Sequence, residues 1–167
     1  MAEQRPRLTQ LVLETIVHTV VRPGFVIVVL PYLLMSSGHE LYAFDGRSRL
    51  VVGWPFVGTG ILLGLWCTRQ FVVFGRGTPN PIGPPQLLVR GGLYQVIRNP
   101  MCLAVALILT GEALVRGSVT LLAYLCAVML VFHLTVVLYE EPTLRRSFGA
   151  GYEEPCARVP RWIPRQV

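Results

Sequence analysis

SVTLLAYLCAVMLVFHLTVVLY, residues 118–139, runs for 22 residues without a formal charge and is followed at once by Glu140-Glu141. A bilayer core of about 30 Å is crossed by roughly 20 apolar residues rising 1.5 Å each. The stretch therefore predicts a membrane-spanning helix that ends on two adjacent carboxylates. Working outward, Arg116-Gly117-Ser118 reads as a tight turn, and Pro100, a favoured residue of a first helical turn, opens a 16-residue helix before it. Together they predict a helical hairpin. Further upstream, residues 50–68 are uncharged for 19 positions and carry Gly60 and Gly64 at a spacing suited to close helix contact. Residues 8–35 are apolar but less regular. Glu14, His18 and Arg22 share one helix face there, and Pro23-Gly24 and Pro31 imply a kinked span. Glu14 breaks the apolar run and no small-residue cleavage site follows, which argues against a signal peptide.

The composition agrees with this reading. Of 167 residues, 53% are hydrophobic and 14% are charged, against about 25% charged in soluble domains. Disorder, a collagen-like fibre and a disulfide scaffold are excluded. The expected fold class is all-α: an integral membrane bundle of about four transmembrane helices with a cytoplasmic loop and a C-terminal cap. It reads as one domain over residues 1–167, divided into two N-terminal spans (1–74), a loop (75–99), the hairpin (100–139) and the cap (140–167).

The net charge is +6, and all 15 basic residues are arginine. Eleven of the 15 fall before the first span, between the second and third, or after the fourth. The positive-inside rule then places both termini and the long loop in the cytoplasm, as in a bacterial inner membrane protein. Cys67, Cys102, Cys126 and Cys156 lack the spacing of a disulfide framework or a zinc site, and no metal or nucleic-acid partner is implied.

Two cytoplasmic segments are richer than anchoring requires. Residues 75–99 read GRGTPNPIGPPQLLVRGGLYQVIRN, a stiff loop whose glycines let backbone approach a ligand. Arg98-Asn99-Pro100 stands where this loop meets a helix N-terminus, a position suited to a carboxylate or phosphate. Glu140-Glu141 sits at a helix C-terminus, where the dipole disfavours negative charge. The pair needs a compensating cation: an arginine such as Arg145 or Arg98, or a positively charged cofactor. His133, about two turns before Glu140, is either a satisfied bundle-facing side chain or a functional one. Trp54 and Trp162 fit interfacial anchors.

Side by side, these segments resemble the isoprenylcysteine carboxyl methyltransferase and phospholipid methyltransferase superfamily of membrane enzymes. The resemblance runs from about residue 75 to residue 164. Its first part is Gly77-Thr78-Pro79, Pro84-Pro85, Leu88-Val89, Gly92, Tyr94 and Arg98-Asn99-Pro100-Met101; its second is Glu140-Glu141, Leu144, Phe148-Gly149, Tyr152 and Val159-Pro160-Arg161, closing at Pro164. It implies S-adenosylmethionine as methyl donor and S-adenosylhomocysteine as product. By position, the cofactor pocket would include Gln86, Leu87, Leu88, Val89, Tyr94, Arg98, Asn99, Pro100, Met101 and one or both of Glu140 and Glu141. The donor's carboxylate suits Arg98, and its cationic groups suit the glutamates. Where isoprenylcysteine enzymes carry an arginine one turn before the glutamates, this chain has Thr135-Val136-Val137.

Methyl transfer is a displacement that asks the protein mainly for alignment and exclusion of water. An amine or thiol acceptor must first lose a proton, for which Glu140, Glu141 and His133 are the catalytic candidates. The expected activity is transfer of a methyl group to a lipid or lipophilic acceptor reached from the bilayer. The alternatives are a non-catalytic membrane interaction or carrier protein, and a membrane reductase on a related scaffold, which would need a longer chain.

Overall fold

The computed structural model describes residues 21–36, 47–73 and 92–162. Every regular element among them is helical. The first helix, α1 (22–36), contains a wide π segment at Phe25–Val29; α2 spans Ser48–Val73. After a 3-10 turn at Gly92–Gln95 come α3 (Pro100–Arg116) and α4 (Val119–Thr135). A second π segment, Val136–Glu140, joins α4 to α5 (Glu141–Phe148), and α6 (Ala150–Arg158) follows.

Two helices are long and apolar enough to cross a membrane: Ser48–Gln70, and the 30-residue run Val119–Phe148 that joins α4, the π segment and α5. Only 17% and 11% of their apolar windows are buried within the molecule, whereas the core helix of a soluble protein would be mostly covered. Leu62 and Val51 on α2 and Leu138 on the second run are each about 70% exposed. The expectation of four spans is narrowed accordingly. Helix α3 forms where expected but has 17 residues, and the N-terminal segment is described only from residue 21, so its Glu14 and His18 lie outside the described residues.

Small side chains explain how α2 and α3 pack. The two are antiparallel and form the most extensive helix pair. A Cβ added to Gly60 would lie 2.8 Å from the Ala104 carbonyl oxygen, and one on Gly53 would lie 2.9 Å from that of Gly111. The same seven-residue step leads on to Cys67, fully buried near Tyr94. Gly64 is looser than its spacing with Gly60 suggests, because a Cβ there would only reach the Ala104 side chain at 3.8 Å. The close seam thus repeats every seven residues rather than every four, as expected of helices packed at a shallow angle.

The hairpin turn forms as read. Gly117 adopts a left-handed φ of +68° and its N–H donates to the Ala113 and Leu114 carbonyls, closing α3. The Ser118 hydroxyl then accepts from the Leu121 N–H at 3.3 Å, capping α4. The core beneath is built from Val105, Leu109 and Val128, with Val26, Ile27, Tyr124, Leu125 and Phe132 packed around it.

Both π segments have the same cause. Leu30 N–H donates to the Phe25 carbonyl, and Glu141 N–H donates to the Val136 carbonyl, five residues back instead of four. The next residue in each case is a proline, Pro31 and Pro142. Proline has no N–H to give and its ring presses on the carbonyl four residues back, so the preceding turn widens.

These helices carry Arg98, Arg145, Arg146, Arg158 and Arg161 to one end of the bundle. Arg49 and Arg116 lie at the other, where Arg49 donates to the Arg116 carbonyl at 3.3 Å.

Candidate functional site

The arginine-rich end gathers two of the sequence segments. Asn99 stands at the N-terminal boundary of α3 without a side-chain capping bond, and fully buried Pro100 occupies its first turn. Residues 160–162 fold back against that junction. Arg98 N–H donates to the Pro160 carbonyl at 3.0 Å, and Asn99 Nδ2 donates to the Arg161 carbonyl at 3.3 Å. The Arg-Asn-Pro run is therefore a docking point for the chain's own Val-Pro-Arg segment.

The wide turn delivers the two glutamates to different surroundings. Glu141 is buried, its side chain 6% exposed, and is held by two arginines. Arg161 grips it as a fork, Nε to Oε1 at 2.6 Å and Nη2 to Oε2 at 3.0 Å. Arg98 Nη1 reaches the same Oε1 at 3.2 Å and also points at Cys156 Sγ at 3.0 Å. The charge-assisted bond to Glu141 also pushes the Arg161 guanidinium above its ordinary range. Arg145, which the sequence offered as a partner, is exposed, and the direct ion pairs are with Arg98 and Arg161.

Glu140 is half-buried on another side. Among the described residues it has no cationic partner. It lies within electrostatic reach of Tyr94, whose phenol is pushed upward first by burial, then by Cys67, Cys102 and Glu140. Tyr94 stacks on Trp66 with ring centroids 6.3 Å apart and planes 20° apart. Gly92 makes that stack possible: it takes a φ of +59°, and a Cβ there would run into the Trp66 indole. An aromatic wall and a carboxylate without a cationic partner among the described residues thus lie at the same end as the Arg98 network. Arg98 Nε is itself buried and has no hydrogen-bond partner among the described residues.

Other candidates fall elsewhere. Met101 is half-buried on the first turn of α3. Gln86, Leu87, Leu88 and Val89 lie outside the described residues. His133 is exposed rather than bundle-facing, and its Nδ1 accepts the Trp162 indole N–H at 3.3 Å. In a regular helix His133 would share a face with residue 140, seven positions on. The π segment advances the chain by fewer degrees per residue, so the two diverge. Its Nδ1 is thus engaged with the C-terminal segment through Trp162.

Sequence reasoning missed Trp66, Cys67, Cys156 and the role of Arg161. Arg161 carried a signal: a buried glutamate at a boundary crowded with arginines must be paired, and the Val-Pro-Arg motif lies within reach.

Among the described residues every element is helical, two helices are long and apolar enough to cross a membrane, and a polar site lies at one end, the class of arrangement a membrane enzyme presents. The comparison with family models then identifies it: residues 48–151 match the phospholipid methyltransferase family, and the chain belongs to that family of membrane methyltransferases. No curated protein sequence and no solved structure matches it.

Proposed function

We propose that this chain is an S-adenosylmethionine-dependent methyltransferase acting on a lipid or lipophilic acceptor at the cytoplasmic face of a membrane. The observation that carries the reading is the division of the glutamate pair, with Glu141 neutralised by two arginines and Glu140 left without a cation among the described residues. A half-buried carboxylate without a counter-ion is costly, and a cationic ligand relieves that cost.

The residues present fit the donor. Glu140 would face its cationic groups, Tyr94 and Trp66 would offer flat apolar surface to its adenine, and Arg98 Nε, without a partner among the described residues, suits its carboxylate. When bound, the donor supplies an activated methyl group on a sulfonium. The protein aligns it and keeps water out, a contribution worth roughly 7–11 kcal/mol in favourable cases. Glu140 is also the group in position to accept a proton from an amine or thiol acceptor. Glu141, with both oxygens engaged, holds the site together.

The apolar outward faces of α2 and α4 support acceptor access from the bilayer. The arginine-rich end supports a cytoplasmic site by the positive-inside rule. Calorimetric titration of the detergent-purified protein with S-adenosylhomocysteine tests the reading. Saturable binding to a folded sample is expected, and its absence refutes the donor assignment.

A further inference from the structure

The two arginines around Glu141 are not equivalent. Arg161 takes both carboxylate oxygens through a fork at 2.6 and 3.0 Å, whereas Arg98 reaches one of them with a single nitrogen at 3.2 Å. Arg98 Nε, whose N–H points along the Nη2 edge of the same guanidinium and away from Nη1, stays buried and unpartnered among the described residues. A carboxylate next to a guanidinium prefers the two-point arrangement, which is stronger than a single contact and better directed. A fork that includes Nη1 must use Nη1 and Nη2, and Arg161, by occupying Glu141, keeps it from closing onto Arg98 in that way and drawing Nη2 from the edge it shares with Nε.

We infer that Arg161 is a positioning residue: by occupying Glu141 it keeps the Nε/Nη2 edge of Arg98 free to receive the carboxylate of the methyl donor. This rests on the donor reading above. Arg161 touches no reacting atom in this arrangement and acts through Glu141 and Arg98. Its backbone fixes it in place from the same side. The Pro160 carbonyl accepts from Arg98 N–H, the Arg161 carbonyl accepts from Asn99 Nδ2, and the Trp162 indole donates to His133. Three consecutive residues thus clasp the α3 junction and the outer side of α4. The Arg161 side chain is 39% exposed while Glu141 is 6% exposed, so the arginine is the member of the pair that a substitution can remove without opening the core.

Removing Arg161 frees Glu141 to pair two-point with Arg98, and the donor then competes with a tethered carboxylate. Arg161→Gln is expected to weaken S-adenosylhomocysteine binding about tenfold and to raise the donor KM with little change in kcat. Arg161→Lys, which keeps the charge and gives up the fork, should fall between. Adding Glu141→Gln to Arg161→Gln removes the competitor and should restore most of the lost affinity. A merely structural role predicts the opposite, a double variant worse than either single one. Calorimetry on the full chain in detergent, with thermal melts to confirm folding, reads all three variants. An Arg161→Gln affinity equal to wild type, or a double variant without recovery, overturns the proposal. Should Arg161→Gln fail to fold, Arg161→Lys decides by the same criterion. Wild-type protein that does not bind S-adenosylhomocysteine overturns the donor reading and this proposal with it, so the two failures are distinguishable.

Discussion

The chain bends twice by one backbone device and uses the bends for different ends. At Phe25–Val29 and at Val136–Glu140, a five-residue π segment precedes a proline, and the residue between them donates to a carbonyl five back. The first bend is sealed. The Val26 carbonyl has lost its backbone donor to Pro31 and accepts the Tyr124 hydroxyl at 2.8 Å, while Val26 and Ile27 pack on the core. The second bend carries charge instead. It ends on Glu140-Glu141 and turns one toward two arginines and the other toward Tyr94. A widened turn is structurally neutral in itself. Its neighbours decide whether it becomes a packing joint or a site.

The sharpest test of this contrast separates the glutamates at the second bend. Glu141→Gln leaves two arginines facing a neutral amide and should cost about 2 kcal/mol, discounted for the exposure of Arg161, seen as a lower melting temperature in detergent. Its affinity for S-adenosylhomocysteine should stay within about threefold. Glu140→Gln should do the reverse, keeping the melting temperature and losing at least tenfold in affinity. Equal effects from the two would mean that the bend does not divide the pair.

Restoring the missing N–H comes next. Pro142→Ala allows regular helix through residues 136–142 and should rotate the glutamates away from their partners, weakening S-adenosylhomocysteine binding about tenfold. Pro31→Ala makes the same repair at the first bend and should leave binding unchanged. If both variants bind alike, the second bend has no special function.

Tyr124→Phe removes one hydrogen bond from the first bend and should cost about 1 kcal/mol of thermal stability with no effect on binding. The smallest effect is expected from His133→Gln, which keeps an acceptor for Trp162. Stability and turnover should both remain close to wild type, and a tenfold fall in kcat would restore His133 as a base.

Much of this was legible beforehand because it depends on neighbours in the chain. The charge-free runs mark the helices, Gly117-Ser118 marks the hairpin turn, and Glu140-Glu141 and Arg98-Asn99-Pro100 mark the candidate site. Gly60 was recognised as a contact residue, but its true partner in register was Gly53, because the seam repeats with the angle between two helices and not within one. His133 was misjudged for a related reason. Pro142, five residues beyond Val137, changed the number of residues per turn and with it the face that residue 140 presents relative to His133.

By itself, the sequence determined an apolar helical chain, a strongly one-sided distribution of arginine and a pair of carboxylates at the end of its longest span. These follow from composition and local periodicity. Only the tertiary structure decided which carboxylate is neutralised. Arg161 lies 20 residues from Glu141 and Arg98 lies 43 residues away. The meeting of those three charges depends on a helix widened by Pro142, which the local sequence does mark, and on a C-terminal segment folded back over α3, which no local pattern encodes.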